Sequence, residues 1–443
     1  MGIIDNVRVW AVFVLLLLSL KMSAQHADSL AADCLNRSDW FLLQEVYQAD
    51  SSRMSPFMRQ FSKAMLSYIF GRPAEANEDI RALLKTYQET LDFGNIYSLV
   101  RMRSKSLSAM LDNRQASETL SDFIRQIEGK VDSSVVAPLV EQKRHYDLLS
   151  PYRLFLHKNP QKHYEIPFVL RQVADSAQFL LSLEGSLGGK KAEFLLDTGA
   201  GYNVASPLAA KKYGLKVLEG SLNVRGMRNV KAGMAIAESL KIGRLEMRNV
   251  PFIVLDNVMG NEKARKDMQS SRLIIGQPFL SCFPSYSIDF SGNEVIFNST
   301  VDSLSDSLQS NLCINDGGAL LVRVSDGKYF YPFALDTGST ASSLGPDYYR
   351  NHQAEVSRLG KWDIKGEAGA GGIAYNSVFV MPEVLLRVSN RNVLMKQIPV
   401  ITMSSTSNIF AQGAGRLGID FFRMWKRVNI NNKRMIITFS AYH

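Results

Sequence analysis

The chain has 443 residues, which is too long for one ordinary hydrophobic core, so two or three domains are expected. Hydrophobic residues make up 46% and charged residues 21%, which excludes a collagen-like, coiled-coil or largely disordered chain. The net charge of +9 is scattered without a run of five basic residues, which favours a solvated basic surface over a nucleic-acid interface.

The chain begins with a segment typical of export. Arg8 precedes an apolar run, Val9–Leu20, which has the length of a signal-peptide core and is short for a membrane span. Ala24 offers a small residue for cleavage before Gln25. The sequence therefore predicts a signal peptide over 1–24 and an exported protein, periplasmic or extracellular, without a stable membrane span; an uncleaved anchor is the alternative.

Residues 25–160 are predicted to form an all-α domain of helical hairpins. Apolar residues recur at three- and four-residue steps, the period of an amphipathic helix. The segments concerned are Trp40–Tyr47, Phe57–Phe70, Ile80–Leu91, Ile96–Leu111 and Leu120–Ile127. Turn-forming residues separate them, and the turn at 70–76 resembles that of a tetratricopeptide-like hairpin, with a degenerate copy in which Asn113 takes the place of Gly71. Such a domain is expected to bind a protein partner or another part of the same chain.

An all-β pattern follows from about residue 165. Short alternating segments rich in Val, Ile, Phe and Leu are divided by Gly and Asn turns. Examples are Phe179–Leu183, Ala192–Leu196, Val250–Leu255 and Ser287–Phe297. A polar stretch rich in Ser and Asp interrupts the pattern, so we predict one lobe over 165–300, a linker over 301–312 and a second lobe over 313–443.

The two predicted lobes repeat each other. Each contains a strand, a tight turn, a second strand and then Asp-Thr-Gly. The end of the second strand and Asp-Thr-Gly lie in Phe194–Ala200 and again in Phe333–Ser339. The spacing from Asp197 to Asp336 is nearly the same as that from Gly276 to Gly418, where a later apolar-Gly segment recurs. Such nearly equal offsets indicate a duplication with small loop differences.

These paired motifs resemble the retropepsin and pepsin superfamily of aspartic peptidases over about residues 175–440. The resemblance implies a multidomain protein with an all-β bilobal aspartic-protease fold. Its two β-barrel-like lobes are related by a pseudo-twofold axis and are preceded in the chain by the all-α helical domain. Carried over, the catalytic dyad is Asp197 and Asp336. The supporting positions are Thr198, Gly199, Ala200, Ile275 and Gly276 in the first lobe, and Thr337, Gly338, Ser339, Leu417 and Gly418 in the second.

The resemblance further implies a secreted aspartic endopeptidase that hydrolyses peptide bonds with a water activated between two carboxylates. Thr198 and Thr337 would interlock the two Asp-Thr-Gly loops. Ser339 would hydrogen-bond Asp336, whereas Ala200 has no hydroxyl to do the same for Asp197, so the two carboxylates would not be equivalent. No cofactor, metal or nucleic acid is implied, and dimerisation is not required because one chain supplies both aspartates. The alternative is a catalytically inactive peptide-binding module that kept the fold.

Two segments are candidates for the β-hairpin flap that covers the cleft in this superfamily. One surrounds Gly226, and the other is the glycine-rich stretch with Gly369, Gly371, Gly372 and Tyr375. The second also fits the dinucleotide pattern G-x-G-x-x-G/A, but a predicted strand follows it where a helix would be required.

The three cysteines do not form a disulfide scaffold or a zinc-site spacing. Whether Cys282 pairs with Cys313 is left open by the sequence.

Overall fold

The computed structural model describes residues 25–173, 178–225, 229–255, 273–300, 309–369, 372–403 and 415–442. The predicted signal peptide, most of the predicted linker, and the flap candidates Gly226 and Gly371 lie outside these residues. The chain divides into two compact units, with the boundary between Leu139 and Val140.

Helices occupy the described residues as far as Leu149. They are α1 (25–37), α2 (Trp40–Asp50), α3 (Pro56–Ile69), α4 (Pro73–Tyr87), α5 (Phe93–Ala109), α6 (Asn113–Ile127) and α7 (Ser133–Leu149). Side-chain caps begin several of them: the Ser55 hydroxyl accepts from Met58 N, and the Asp112 carboxylate accepts from Gln115 N. None of the described helices is both long and apolar enough to cross a membrane.

Two helical turns in the first unit have the same backbone conformation. The turn after α3 contains a left-handed residue, Gly71, with a φ of 62°, and the turn after α5 contains Leu111, with a φ of 65°. In both turns the next residue donates to a carbonyl five positions earlier, from Arg72 to Ser67 and from Asp112 to Leu107. In backbone conformation Gly71 therefore corresponds to Leu111, and not to Asn113 as the sequence spacing suggests.

The remainder is mainly strand. The strands are β1 (Leu156–His157), β2 (His163–Gln172), β3 (Phe179–Leu187), β4 (Lys190–Leu196), β5 (Val204–Ala205), β6 (Lys216–Arg225), β7 (Asn229–Ile242), β8 (Leu245–Val254), β9 (Leu273–Ile275), β10 (Ser285–Asp289), β11 (Glu294–Asn298), β12 (Leu312–Ile314), β13 (Leu320–Ser325), β14 (Phe330–Leu335), β15 (Ser343–Leu344), β16 (Lys361–Gly369), β17 (Gly372–Val388), β18 (Arg391–Ile401), β19 (Gly415–Leu417), β20 (Arg427–Asn431) and β21 (Ile436–Ser440). Short helices interrupt them: α8 (Pro207–Tyr213), α9 (Gln277–Leu280), α10 (Pro346–Leu359) and α11 (Ile419–Phe422).

The two halves of the β region have the same strand order. In the first half the order is β3-β4-β9-β5-β8-β7-β6, with β3 also pairing β7. In the second half it is β13-β14-β19-β15-β18-β17-β16, with β13 also pairing β17. β4 and β9 are parallel, and so are β14 and β19. The sequence repeat therefore corresponds to a repeated topology.

The last hairpin of each half pairs with the other in one sheet. β10 lies antiparallel to β20, and the pairing is centred on Ser287 opposite Asn429. The Ser287 hydroxyl donates to Asn429 Oδ1 at 2.8 Å. The offset between these two residues is the same as that between Gly276 and Gly418. The hairpins therefore meet through corresponding residues.

Each hairpin contributes to an aromatic cluster, with one ring in its second strand and the other just before its first strand. Phe283 and Phe297 have ring centroids 4.5 Å apart, and their counterparts in the second half, Trp425 and Phe439, are 4.8 Å apart. Such stacked and tilted rings are favourable packings in a core. Each cluster anchors the hairpin that follows the apolar-Gly segment of its own half.

Candidate active site

Asp197 and Asp336 each follow a strand whose last residue is completely buried. β4 ends at Leu196 and β14 at Leu335, and both strands pair in parallel with the short strand of the apolar-Gly segment. Asp197 N donates to Ile275 O at 3.0 Å, and Asp336 N donates to Leu417 O at 3.0 Å. Strand pairing thus fixes the backbone of both aspartates in the same way.

The threonines join the two loops by reciprocal hydrogen bonds. Thr198 Oγ1 donates to Leu335 O at 2.9 Å, and Thr337 Oγ1 donates to Leu196 O at 2.7 Å. Each hydroxyl also accepts from the other threonine's backbone N–H, at 3.1 and 3.0 Å. Both threonines are completely buried, so these four bonds replace hydration and hold the aspartates together.

The glycines give each carboxylate room beside the opposite loop. A Cβ at Gly338 would stand 2.3 Å from Asp197 Oδ2, and one at Gly199 would stand 2.7 Å from Asp336 Oδ1. Since real Cβ atoms do not approach other atoms this closely, any side chain would force the loops apart.

The apolar-Gly segments lie directly behind the loops. A Cβ at Gly276 would meet Ala200 O at 2.4 Å, and one at Gly418 would meet Ala341 O at 2.7 Å. Sequence reasoning missed two polar residues that fasten these glycines. Gly276 N donates to Asn203 Oδ1 at 2.9 Å, and Gly418 N donates to Ser342 Oγ at 2.9 Å.

Asn203 and Ser342 were detectable in principle, because each is the sixth residue after its aspartate. Gln277 was also missed; its amide donates to Thr198 O at 2.6 Å and so ties the first loop to the residue after Gly276.

Ser339 differs from the expected arrangement. The Ser339 hydroxyl donates to Ala341 O at 2.9 Å, so its proton is directed along its own loop and not toward Asp336, as we expected from the sequence. In the first loop the backbone N–H groups of Gly199 and Ala200 donate to Asp197 Oδ1 at 2.9 and 3.0 Å.

The two carboxyl groups have different electrostatic surroundings. Asp336 is 5% exposed and Asp197 is partly exposed. Burial and the neighbouring charge of Asp336 raise the pKa of Asp197 well above its usual range. Burial also raises the pKa of Asp336, but the guanidinium of Arg416 opposes this rise. The two carboxyl groups act on each other's charge, so their ionisations are linked.

The source of that asymmetry is a buried arginine that sequence reasoning missed. Arg416 lies in β19, and its Nη1 is 3.6 Å from Asp336 Oδ2. Its Nη2 donates to Glu367 Oε1 in β16 at 2.6 Å, and Glu367 also accepts from the Asn376 amide in β17 at 3.3 Å. The only signal in the sequence was a charged residue inside an apolar-Gly segment.

Corresponding pairs of strands flank the two flap candidates in the sequence. β6 and β7 flank the segment that contains Gly226, and β16 and β17 pair as far as Gly369 opposite Gly372. Tyr375 lies in β17 and is 73% exposed. In the second hairpin, the residue in contact with the aspartate network is therefore Glu367, which sequence reasoning did not select.

The end of α7 contacts the first half of the β region near its Asp loop. The ring of His145 stacks edge-on against Tyr202 at 5.8 Å, and the Glu141 carboxylate accepts from Asn223 N in β6 at 3.1 Å. Burial lowers the pKa of His145 to about 4. Sequence reasoning placed this segment in the helical domain and did not foresee these contacts.

A family model matches part of the chain around the first Asp loop. Residues 183–279, which include Asp197 and Gly276, match the family model described as aspartyl protease. No curated protein matches the chain.

Solved structures similar to parts of the chain include basic 7S globulin from soybean, with a TM-score of 0.39 and 12% identity over 64% of this chain and 96% of that one. Conglutin gamma from lupine seeds has a TM-score of 0.38 and 9% identity over 64% of this chain and 96% of that one. A retropepsin-like aspartic protease from Rickettsia conorii has a TM-score of 0.22 and 22% identity, over 33% of this chain and 96% of that one.

Proposed function

We propose that this protein is a single-chain aspartic endopeptidase whose catalytic dyad is Asp197 and Asp336. The observation that carries the proposal is the reciprocal bonding of Thr198 and Thr337, which holds two shielded carboxyl groups together. A pure binding protein has no chemical need for such a pair.

The proposed chemistry follows from the repulsion between the two carboxylates. At about 4 Å and an effective dielectric of 20, two negative charges repel by about 4 kcal/mol. One proton is therefore shared over a broad pH range. The ionised carboxyl takes a proton from a bound water, which attacks the peptide carbonyl while the protonated carboxyl donates to the carbonyl oxygen. The resulting diol collapses as a proton passes to the leaving amine.

The proposal includes two lobes related by a pseudo-twofold axis. Its support is the identical strand order of the two sheets and the pairing of β10 with β20 through corresponding residues. Since Asp197 and Asp336 belong to one chain, no dimer is needed to build the dyad.

Export is a further part of the proposal, supported by the apolar run Val9–Leu20. The helical region would then recruit an exported protein partner or cover the cleft. N-terminal sequencing of the secreted protein tests export, with Gln25 as the expected first residue.

The test of activity is cleavage of a mixed peptide library by the chain from Gln25, across about pH 3 to 7. Asp197→Asn and Asp336→Asn serve as matched variants, with and without a transition-state-mimicking inhibitor of aspartic peptidases. We expect cleavage that both substitutions abolish and the inhibitor blocks. Cleavage that survives either substitution would contradict the proposed dyad.

The second candidate function is a peptide-binding module without turnover. The observation that favours it is Arg416, because a guanidinium 3.6 Å from Asp336 neutralises part of the charge that activates water. An inert wild type that still binds library peptides would establish this reading. Binding should then persist in Asp197→Asn, since asparagine keeps an Oδ1 that can accept from Gly199 N and Ala200 N.

A further inference from the structure

The corresponding positions of the two halves differ in charge beside the dyad. Arg416 pairs with Ala334 in β14 and with Ser343 in β15; in the first half Ile274 occupies the equivalent place, beside Leu195 and Val204. The duplicated backbone thus carries an apolar side chain near one aspartate and a guanidinium near the other. Nothing in the strand pairing itself requires this difference.

Arg416 is held in place by the second hairpin. Its side chain is 10% exposed, and that of its partner Glu367 is 17% exposed. A buried arginine is expensive unless its charge is paired, and here Asp336 and Glu367 lie at opposite nitrogens of one guanidinium. The fork of an arginine suits such a bridge between two carboxylates better than a lysine does.

We propose that Arg416 is a positioning residue that keeps Asp336 as the ionised carboxylate of the dyad and leaves the shared proton on Asp197. This inference rests on the proposed function and assigns the roles within it. Asp336 then accepts the proton of the attacking water, and Asp197 donates to the carbonyl oxygen of the substrate.

The ionisation of Asp336 depends on the charged groups around it. Among the described residues these are Asp197 from the loop after β4, Arg416 from β19 and, beyond the guanidinium, Glu367 from β16. Arg416 stabilises the anion of Asp336 more than that of Asp197, because its closest carboxylate in the dyad is Asp336. Both ionisations of the dyad therefore occur at lower pH than they would without Arg416.

The first test is the pH profile of kcat/KM for peptide cleavage. The double variant Arg416→Ile, Glu367→Leu places the first-half residue at 416 without leaving Glu367 as an unpaired buried charge. Both limbs of the bell-shaped profile should move to higher pH, by about one unit. The matched control Arg416→Lys keeps the charge and should keep the limbs in place. A merely structural role would lower kcat without moving either limb, and unmoved limbs in the double variant would overturn the assignment.

The second test needs no turnover, so it separates failure of this inference from failure of the proposed function. The side-chain carboxyl carbons of aspartate are labelled with ¹³C and titrated by NMR, with the two signals assigned from Asp197→Asn and Asp336→Asn. In the wild type, Asp336 should ionise at lower pH than Asp197, and the double variant should raise the pH at which Asp336 ionises. Ionisation of Asp197 first, or an unchanged Asp336 in the double variant, would refute the assignment even in an inert protein.

Discussion

At the scale of single residues, the carboxylate of Asp197 in the first loop lies close to the backbone of Gly338 in the second loop. A Cβ there would stand 2.3 Å from one Asp197 oxygen and 2.6 Å from the other. The loop backbone cannot retreat, because the buried hydroxyl of Thr337 holds it to Leu196 O. Position 338 therefore requires glycine, which has a hydrogen in place of a Cβ.

We therefore expect Gly338→Ala to displace Asp197 and to lower kcat/KM by about 100-fold, with a loss of about 2 kcal/mol in unfolding free energy. Gly233→Ala is the matched control, since its Cβ would only touch Val254 at 3.7 Å. Peptide cleavage and urea unfolding measure both effects. Wild-type activity in Gly338→Ala would show that the loops are not tightly packed.

Leu111 has a left-handed backbone conformation, which is unfavourable for a residue with a side chain. It is 46% exposed and has a φ of 65° at the end of α5, where the equivalent turn after α3 has Gly71. Leu111→Gly should stabilise the helical unit by about 1 kcal/mol, and Gly71→Ala should destabilise it by a similar amount. Urea unfolding followed by circular dichroism at the helix band tests both; destabilisation by Leu111→Gly would mean that its side chain contributes more than the strain costs.

At the scale of elements, the site depends on strands from distant parts of the chain that end at one place. Sequence patterns correctly predicted strands that overlap β3, β4, β8, β10 and β11, because their apolar residues alternate. The strand predicted after the glycine-rich stretch is part of β17, but the patterns did not indicate that β17 extends from Gly372 to Val388. The apolar period of the helices indicated segments that overlap α2 to α6, whereas no segment was identified for α1 or α7.

The bonds between the two Asp loops are an element-scale feature that can be tested alone. Thr337→Val removes the donor to Leu196 O and leaves Thr198 N without its acceptor, in a fully buried place. We expect a loss of about 2 kcal/mol in unfolding free energy and a fall of about 100-fold in kcat/KM. Thr337→Ser keeps the hydroxyl and should stay near wild type; equal losses in both variants would assign the effect to packing of the methyl group.

At the scale of the whole β region, the halves are joined where β10 pairs with β20. Asp289 at the end of β10 is 3% exposed and accepts from Arg427 Nε in β20 at 2.8 Å and from Ser291 Oγ at 2.6 Å. Burial opposes its ionisation, but the hydrogen bonds from Ser291 and Arg427 prevail and lower its pKa from 3.8 to about 2. The anion is therefore favoured by folding.

A lowered pKa makes this joint sensitive to acid. The stabilisation is complete above the unfolded pKa of 3.8 and is lost as the pH falls through about 2. Asp289→Asn should cost about 2 kcal/mol of unfolding free energy at neutral pH, and the difference from wild type should vanish near the lower value. Asp347→Asn, in the exposed ion pair with Arg350, should change stability much less. A deficit in Asp289→Asn that does not depend on pH would contradict the role of its charge.

The sequence by itself determined the repeat, the Asp loops and the glycines behind them, because these features are local motifs whose spacing survives in the chain. Tertiary structure alone decided which charges surround the dyad. Arg416 is distant in sequence from both Asp336 and Glu367, and only the parallel pairing of β14 with β19 and the fold of the β16–β17 hairpin bring the three together. In the sequence, a charged residue in an apolar segment does not show which groups it contacts. In the structure, Arg416 is buried between the carboxylates of Asp336 and Glu367.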